Sequence, residues 1–582
     1  MNGGGQTGGA STLTRSQYLL WMGQALAPDA PMCNMAMAFD LGRGVNATRL
    51  LAAFDSVLAE NDALRMVFDN SDGMPTARVL SHMAAAVEQV DLRSEQRASP
   101  VVASWLENRS RRVLDLQQCC FDAALLQLQD DHWVWYLNQH HLITDAQSSV
   151  LIYQRLLAAY FDLPAEPAPT YAERYLQEQR GSDTRAAQMA RAYWQGQLEE
   201  TVTDEPRGFY GHSPDTGTTA ARHLVHRLEH SRTEALRNRA ASRSATLLSG
   251  DIAQFCFYLT ALVATLYRAG GRSSVRVGVP LHNRTNKRLK LTAGLLTEIF
   301  PLQVTIAADE TFSSLLQKVE QQSLALFKHG IAGTSDAPLN ASFDVLFNFI
   351  TATLPRVGDI EPHCEWLLPG HIDTGHALRL QVQDFSATGQ PTLHFDIKQM
   401  AFPAALGDCL RHQYLALLDA MLADPDTQLD QIDLLTEDDR TAWRALNPGL
   451  DTPPTNTLLD ELALQAQQHG ARTALQEGER ELSYAELESW SSDLAQQLSE
   501  RGVSRGDTVA LCLPRSVELV VAVLAICKAG AAYLPLDPRY PEERRKLMIA
   551  DAGARLVLAD SATEKTDGSA EQLVATELLA IA

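Results

Sequence analysis

The chain has 582 residues, 45% hydrophobic and 21% charged, so it carries enough apolar surface for large cores and is neither collagen-like nor disordered by composition. Its 71 Asp and Glu outnumber 49 Lys and Arg, and the formal net charge of −22 repels polyanions, which sets nucleic acid and anionic membrane surfaces aside as partners. Eight cysteines without a CxxC pair exclude a disulfide scaffold and a zinc or redox motif and fit a reducing cytoplasm.

The opening MNGGGQTGGAS has no basic segment followed by an apolar one, so residues 1–12 read as a flexible tail rather than a secretory signal. Residues 16–25 and 46–60 carry apolar side chains at helical spacing (Leu50, Leu51, Phe54, Val57 and Leu58 in the second), with Asn46 placed to cap the second helix. Residues 132–140 alternate instead, with Trp133, Trp135 and Leu137 on one face and Val134, Tyr136 and Asn138 on the other, the period of a strand. Helical spacing returns after Asp145 at Val150, Tyr153, Leu157 and Tyr160, so residues 140–145 form a strand-to-helix turn on which His141 is expected to stand exposed.

Three prolines in 163–170 separate this half from a second round of helix and strand: an apolar helix at 252–268, then strands at 274–280, 343–349 and 378–382. The apolar runs 252–267 and 519–527 are interrupted by Gln254 or bounded by Glu518 and Lys528, and both read as core rather than as membrane spans. A polar stretch from 436, ending in Asp451-Thr-Pro-Pro, reads as a linker to a further α/β unit. The fold class is α/β, with one lobe on each side of residue 170.

Ionisable side chains concentrate on one predicted turn, Asn138-Gln-His-His-Leu-Ile-Thr-Asp145. An imidazole exchanges protons with an amine or hydroxyl at neutral pH, and a carboxylate beside it can orient the ring or hold the turn, which is the chemistry acyl transfer needs. The competing reading is a pair of histidines satisfied at a strand end.

In order along residues 13–440, the sequence resembles the condensation domains of nonribosomal peptide synthetases. The matching segments are Leu13-Thr-Arg-Ser-Gln-Tyr-Leu-Leu-Trp21, Glu60-Asn-Asp-Ala-Leu-Arg-Met-Val-Phe68, the HHxxxD signature from His140 to Asp145, Tyr171-Ala-Glu-Arg-Tyr175, Tyr193-Trp194, Val279-Pro-Leu-His-Asn-Arg284 and Gly294-Leu-Leu-Thr-Glu-Ile-Phe-Pro-Leu302. The resemblance implies two chloramphenicol-acetyltransferase-like lobes in a V, 13–170 and 171–440, with the signature where they meet. It implies that His141 is the catalytic histidine, that His140 is mainly structural, and that Asp145 holds the turn through an ion pair assigned to Arg284. Arg65, in the second motif, is expected to serve folding. Where the family usually has Gly after the signature Asp, this chain has Ala146, whose methyl is expected to narrow the tunnel beside the reacting atoms. Gln147 stands where Trp is common, and 328–344 matches poorly. No metal site is expected.

After a linker at 441–457, residues 458–582 resemble the start of a synthetase adenylation domain through Leu482-Ser-Tyr-Ala-Glu-Leu487 and Lys528-Ala-Gly-Ala-Ala-Tyr-Leu-Pro-Leu-Asp-Pro538. The Ser/Thr/Gly-rich ATP loop is absent from the sequence, so this piece reads as a truncated fragment unable to activate an amino acid. The implied reaction joins an acyl donor to the amine of an aminoacyl acceptor on a carrier protein. The substrates are phosphopantetheine thioesters on partner carriers, or coenzyme A, with no cofactor bound covalently to this chain. With no upstream module in the sequence, the donor is expected in trans, and the absence of an evident acidic residue beside the signature favours an acyl chain without an α-amino group. The alternative is a non-catalytic relative that recruits partner proteins, against which the intact His pair argues.

Overall fold

Two sheets, each built from one half of the first 436 residues with a single exchange between them, frame the signature turn. The structure is a computed structural model that describes residues 11–70, 74–84, 86–181, 184–199, 217–244, 249–361, 363–399, 404–446, 456–560 and 571–574. Most of the expected tail and of the expected linker lies outside these residues. The last two residues of the former, Ser11–Thr12, pair as a short strand with Thr76 and Ala77, and 441–446 are the end of a helix, Glu437–Leu446.

Helix α1 (Arg15–Leu26) begins in a reciprocal cap in which the Thr14 hydroxyl accepts from the Gln17 N–H while the Gln17 side chain accepts from the Thr14 N–H. Strand β1 (Asn34–Arg43) leads to α2 (Ala47–Glu60), whose first turn is capped by Asn46 accepting from the Arg49 N–H. Strands β2 (Val87–Leu92), β3 (Phe121–Leu128) and β4 (His132–His140) follow, then helix α3 (Ala146–Tyr160). Strand β4 lies antiparallel between β1 and β3, and its residues after His132 are buried on both faces. Trp135 meets Phe54 of α2 at 4.9 Å, while Tyr136, pointing the other way, meets Trp105 at 5.7 Å.

The second half supplies β5 (Ala221–Arg227), α4 (Gly250–Gly270), β6 (Ser274–Leu281), β7 (Glu298–Thr305), α5 (Phe312–His329), β8 (Val345–Ile350), β9 (Cys364–Leu367), β10 (Leu378–Gln383), β11 (Thr392–Lys398) and α6 (Ala404–Ala423). Six of these strands form a sheet in the order β7-β6-β8-β10-β11-β5. Period-two alternation divides it: Leu378, Leu380, Val382, Leu393, Phe395 and Ile397 join the core with α4, α5 and α6, while Arg379, Gln381, Gln383, His394, Asp396 and Lys398 line the opposite face. Helix α4 is the one described helix long and apolar enough to cross a membrane, and 78% of its most apolar window is buried in the protein.

Strand β9 departs from the two-lobe division at 170. It leaves the second half and pairs antiparallel with β1, completing the first sheet as β9-β1-β4-β3-β2. Without it the backbone of β1 would present an open edge. Residues 437–582 form a separate unit with a parallel sheet of β12 (Thr508–Cys512), β13 (Ala532–Pro535), β14 (Leu556–Ala559) and β15 (Glu571–Val574), ordered β13-β12-β14-β15. The apolar run at 519–527 lies in a helix here, Val517–Lys528, with Val521, Leu524, Ala525 and Ile526 buried.

Gly294 has φ of +137°, and a Cβ there would come within 2.1 Å of the Tyr171 ring, which is anchored by its hydroxyl donating to Leu295 O at 2.7 Å. Neither backbone nor ring has room to yield, so Gly294→Ala is expected to destabilise residues 1–436 by about 2–4 kcal/mol, read as a lower urea midpoint. An unchanged midpoint contradicts this close approach.

Candidate active site

Strand β4 delivers both histidines. The His140 N–H donates to Cys120 O at 2.8 Å, and the His141 N–H donates to Cys33 O at 2.8 Å, so the last backbone bonds hold the turn to both neighbouring segments. A single 3-10 turn, His141–Ile143, follows, and α3 starts at Ala146 with Asp145 as its N-cap, Oδ1 accepting from the Ser148 N–H at 2.9 Å.

Asp145 does more than cap. Its Oδ2 accepts from Arg284 Nη1 at 2.8 Å and from the Leu296 N–H at 3.0 Å, and its Oδ1 accepts from Arg284 Nη2 at 2.9 Å and from the Ser148 hydroxyl at 2.8 Å. The two residues are 3% and 4% exposed, so this is a buried two-pronged ion pair between α3 and the β6–β7 connection. Burial raises the carboxyl pKa, but the Arg284 charge and the converging N–H groups outweigh it and hold Asp145 below the usual carboxylate range.

The two imidazoles differ in what is left to them. His140 is buried and uses both nitrogens: Nδ1 accepts from the Leu142 N–H at 3.2 Å, and Nε2 donates to Gln24 Oε1 at 3.2 Å. Burial first, and then the neighbouring His141, push its pKa down to about 3. His141 Nδ1 lies 2.7 Å from Thr144 O, and because a carbonyl only accepts, the proton is on Nδ1 and the lone pair is on Nε2. Burial lowers the His141 pKa, with the Asp145 charge in partial opposition, so the ring is neutral at pH 7. His141 is half-buried, not exposed as the turn position suggested, because Cys33 and Thr144 draw the turn inward.

Helix α1 is the element that sequence reasoning did not connect to this turn. Gln17 Nε2 donates to Leu142 O at 2.9 Å, and Gln24 both receives His140 and donates to Ala30 O at 3.0 Å. Both lie in or beside the first motif, two turns apart on the same helical face, and that spacing was the available signal. Between α1 and the turn lies a cavity of about 190 Å³ whose mostly apolar wall includes Trp21, Ala25, Pro28, Val113, Leu116 and the ring of His140.

Arg65 is not brought to the site. Its Nε donates to Leu80 O at 3.0 Å and its Nη1 reaches Leu58 O and Ala59 O, tying off the C-terminal end of α2. Ala146 is the first residue of α3, half-buried beside Asp145. An acidic side chain lies one segment away from the signature, beside Cys33, whose carbonyl accepts from the His141 N–H. Asp373, from the loop before β10, sits over Gly23 of α1, and after burial itself its charge is the main cause pushing the Cys33 thiol up to about 12.

Removing one member of a buried, fully hydrogen-bonded ion pair leaves the other charged and alone, so Asp145→Ala is expected to cost about 3–5 kcal/mol of stability as well as activity. The sign with pH follows from the depressed pKa. The stabilisation is complete above the unfolded value near 3.9 and is lost as pH falls through the lower folded value, so acid unfolding of Asp145→Asn lacks the component that the wild type shows below pH 4. Superimposable acid-unfolding curves contradict the linkage.

Comparison with known proteins agrees with this architecture. Residues 9–442 match the condensation domain family, and residues 462–580 match the AMP-binding enzyme family. Phosphinothricin tripeptide synthetase PhsC of Streptomyces viridochromogenes is 27% identical over 94% of this chain, which spans 52% of that synthetase, and one linear gramicidin synthase protein of Brevibacillus parabrevis is also 27% identical over 94% of the chain, which spans only 7% of it. Among solved structures, the nonribosomal peptide synthetase FmoA3 aligns over 99% of this chain and 60% of its own, with 21% identity and a TM-score of 0.69. A variant of the starter condensation domain of rhizomide synthetase in complex with C8-CoA aligns over 73% of this chain and 98% of its own, with 22% identity and a TM-score of 0.61. With three quarters of its length matched and the HHxxxD turn set between two α/β sheets, the chain belongs to the condensation domain family of nonribosomal peptide synthetases, followed by a segment of an AMP-binding enzyme domain.

Proposed function

We propose that this chain forms an amide bond between a thioester-bound acyl donor and the α-amine of an aminoacyl group on a carrier protein, with His141 as the catalytic histidine. The observation that carries this reading is the His141 tautomer, whose Nδ1–H is engaged by Thr144 O so that Nε2 keeps a lone pair for an incoming amine. A free α-amine has a pKa near 7.7–8.0, so a useful fraction is already neutral, and positioning two tethered groups supplies much of the acceleration. The amine lone pair attacks the carbonyl carbon, and the C=O π pair moves to oxygen. Nε2 takes a proton from the nitrogen, and collapse of the intermediate breaks the C–S bond while the imidazolium returns that proton to the departing sulfur.

Within this reading His140 and the Asp145–Arg284 pair are supports, and Ala146 borders the path to His141. The carrier proteins with their phosphopantetheine arms, or coenzyme A on the donor side, are the partners, and the eight free cysteines suit a reducing cytoplasm. His141→Ala is expected to lower single-turnover amide formation about 100- to 10,000-fold with both carriers loaded. The wild-type rate should fall as pH drops below about 8, where the amine takes up a proton, and protonation of His141 adds to that loss only below pH 6.5, because burial lowers its pKa under that value. Near-normal product from His141→Ala removes the assignment and leaves the non-catalytic recruitment reading.

The donor is an acyl chain without an α-amino group, of the kind that the rhizomide starter condensation domain variant holds as C8-CoA. The apolar cavity beside His140 supports this, since methylene burial there contributes about 25 cal/mol per Å². In direct competition on one acceptor, a medium-chain acyl donor is expected to outrun an aminoacyl donor of similar length. The reverse order, abolished by Asp373→Asn, assigns that carboxylate to a donor ammonium and makes the domain an elongating one.

A further inference from the structure

The polar face of the second sheet carries a hydrogen-bond chain whose direction is fixed at every link. Gln383 accepts from the Phe385 N–H through Oε1 at 2.8 Å, so its amide nitrogen is the atom facing His394 Nε2 at 3.1 Å, and it donates there. His394 then has its proton on Nδ1 and donates to His223 Nε2 at 3.3 Å. His223 in turn donates from Nδ1 to Asp396 Oδ1 at 2.8 Å, and the other oxygen of Asp396 accepts from Arg379 Nε at 2.8 Å. The chain crosses β10, β11 and β5 in register, Arg379 opposite Asp396 and Asp396 opposite His223. His394 accepts at Nε2 and is neutral in it, and burial first of all holds its pKa down to about 4.

All of this order converges on one guanidinium. Asp396 is 1% exposed, but the Arg379 side chain is 22% exposed, and among the described residues only one of its five N–H groups has a partner. Its outer edge is therefore a rigidly held, unoccupied donor. Two residues along the same face, the buried Gln381 also has an amide nitrogen without a partner. Strand β10 enters from the loop in which Asp373 Oδ2 lies 2.9 Å from where a Cβ on Gly23 would be, and Gln24, next in α1, holds His140. The Arg379 charge is accordingly felt at His141, Cys33 and His376.

The signature turn lacks a side-chain donor for the oxygen that becomes negative during amide formation. His141 spends its N–H on Thr144 O, His140 spends its own on Gln24, the Thr144 hydroxyl points to Gln139, and the Arg284 charge is matched by Asp145. We propose that Arg379 receives the oxygen of the donor thioester carbonyl as it turns into an oxyanion, and that Asp396, His223, His394 and Gln383 are positioning residues that hold the guanidinium for it. This rests on amide formation at His141. A fixed cation needs no reorganisation when the charge appears, and loss of such a donor typically costs a hundredfold or more in rate.

The test uses the whole chain with the donor and acceptor carriers it turns over fastest. Arg379→Met is expected to lower the single-turnover rate about 100-fold with KM for both carriers within twofold, Arg379→Lys about 10-fold, and Asp396→Asn about 10-fold. Because the neutral substitution could weaken the fold around Asp396, Arg379→Lys, which keeps the charge beside it, is scored independently. Imidazole NMR supplies a readout separate from turnover: removing a nearby cation should raise the His141 pKa in Arg379→Met. Rates within threefold of wild type for both Arg379 variants, an unmoved His141 titration, or a loss confined to KM for acceptors bearing a carboxylate side chain each overturn the proposal. His141→Ala in the same assay separates the two claims, since its retention of activity removes the amide-forming reading itself.

Discussion

The buried Asp145–Arg284 pair is the constraint on which the signature turn depends. One carboxylate collects the N-terminus of α3, both prongs of an arginine from the second half of the chain, and the Leu296 N–H after Gly294. Taken alone such a pair adds little net stability, because desolvating two charges offsets most of their attraction. What it supplies is uniqueness of geometry. An apolar substitute could fill the volume, but it would not fix where α3 begins, and the start of α3 sets the position of the 3-10 turn that carries His141.

From that fixed turn, the protonation of the site follows without a strong base nearby. Carbonyl and amide partners determine the tautomers of His140 and His141, and burial keeps both rings uncharged. The adjacent histidines therefore do unlike things for a simple reason: one meets donors or acceptors at both nitrogens, and the other at only one. The same logic, written across three strands, orders His223 and His394 on the facing sheet.

Much of this was legible in the sequence wherever one residue's surroundings are set by its near neighbours. Alternation in 132–140 gave the strand, 3.6-residue spacing after Asp145 gave the helix, and Asn46 is the cap that its position suggested. The Asp145–Arg284 contact was reachable through ordered motifs, though the partners are 139 positions apart. Less was legible where burial depends on a distant segment. The half-buried state of His141 comes from Cys33, and Asp373, the acidic neighbour of Cys33, arrives from a loop in the other half. Arg379, Gln381 and Gln383 against Leu378, Leu380 and Val382 is a clear two-residue alternation, yet its polar face reads as solvent-exposed until the opposing lobe is known.

Strand β9 carries a consequence for biosynthesis of the chain itself. Strand β1 ends at Arg43, but the strand that covers its open edge begins only at Cys364. At ribosomal rates of about 5–20 residues per second, this interval lasts roughly 15–65 s. Throughout it, the nascent first sheet can fold its core yet offers a bare ladder to any extended segment that passes. Chaperone occupancy during translation should therefore begin with the emergence of β1 and end shortly after residue 367, and chimeras joined near residue 170 inherit the same exposed edge unless their second half brings a compatible closing strand.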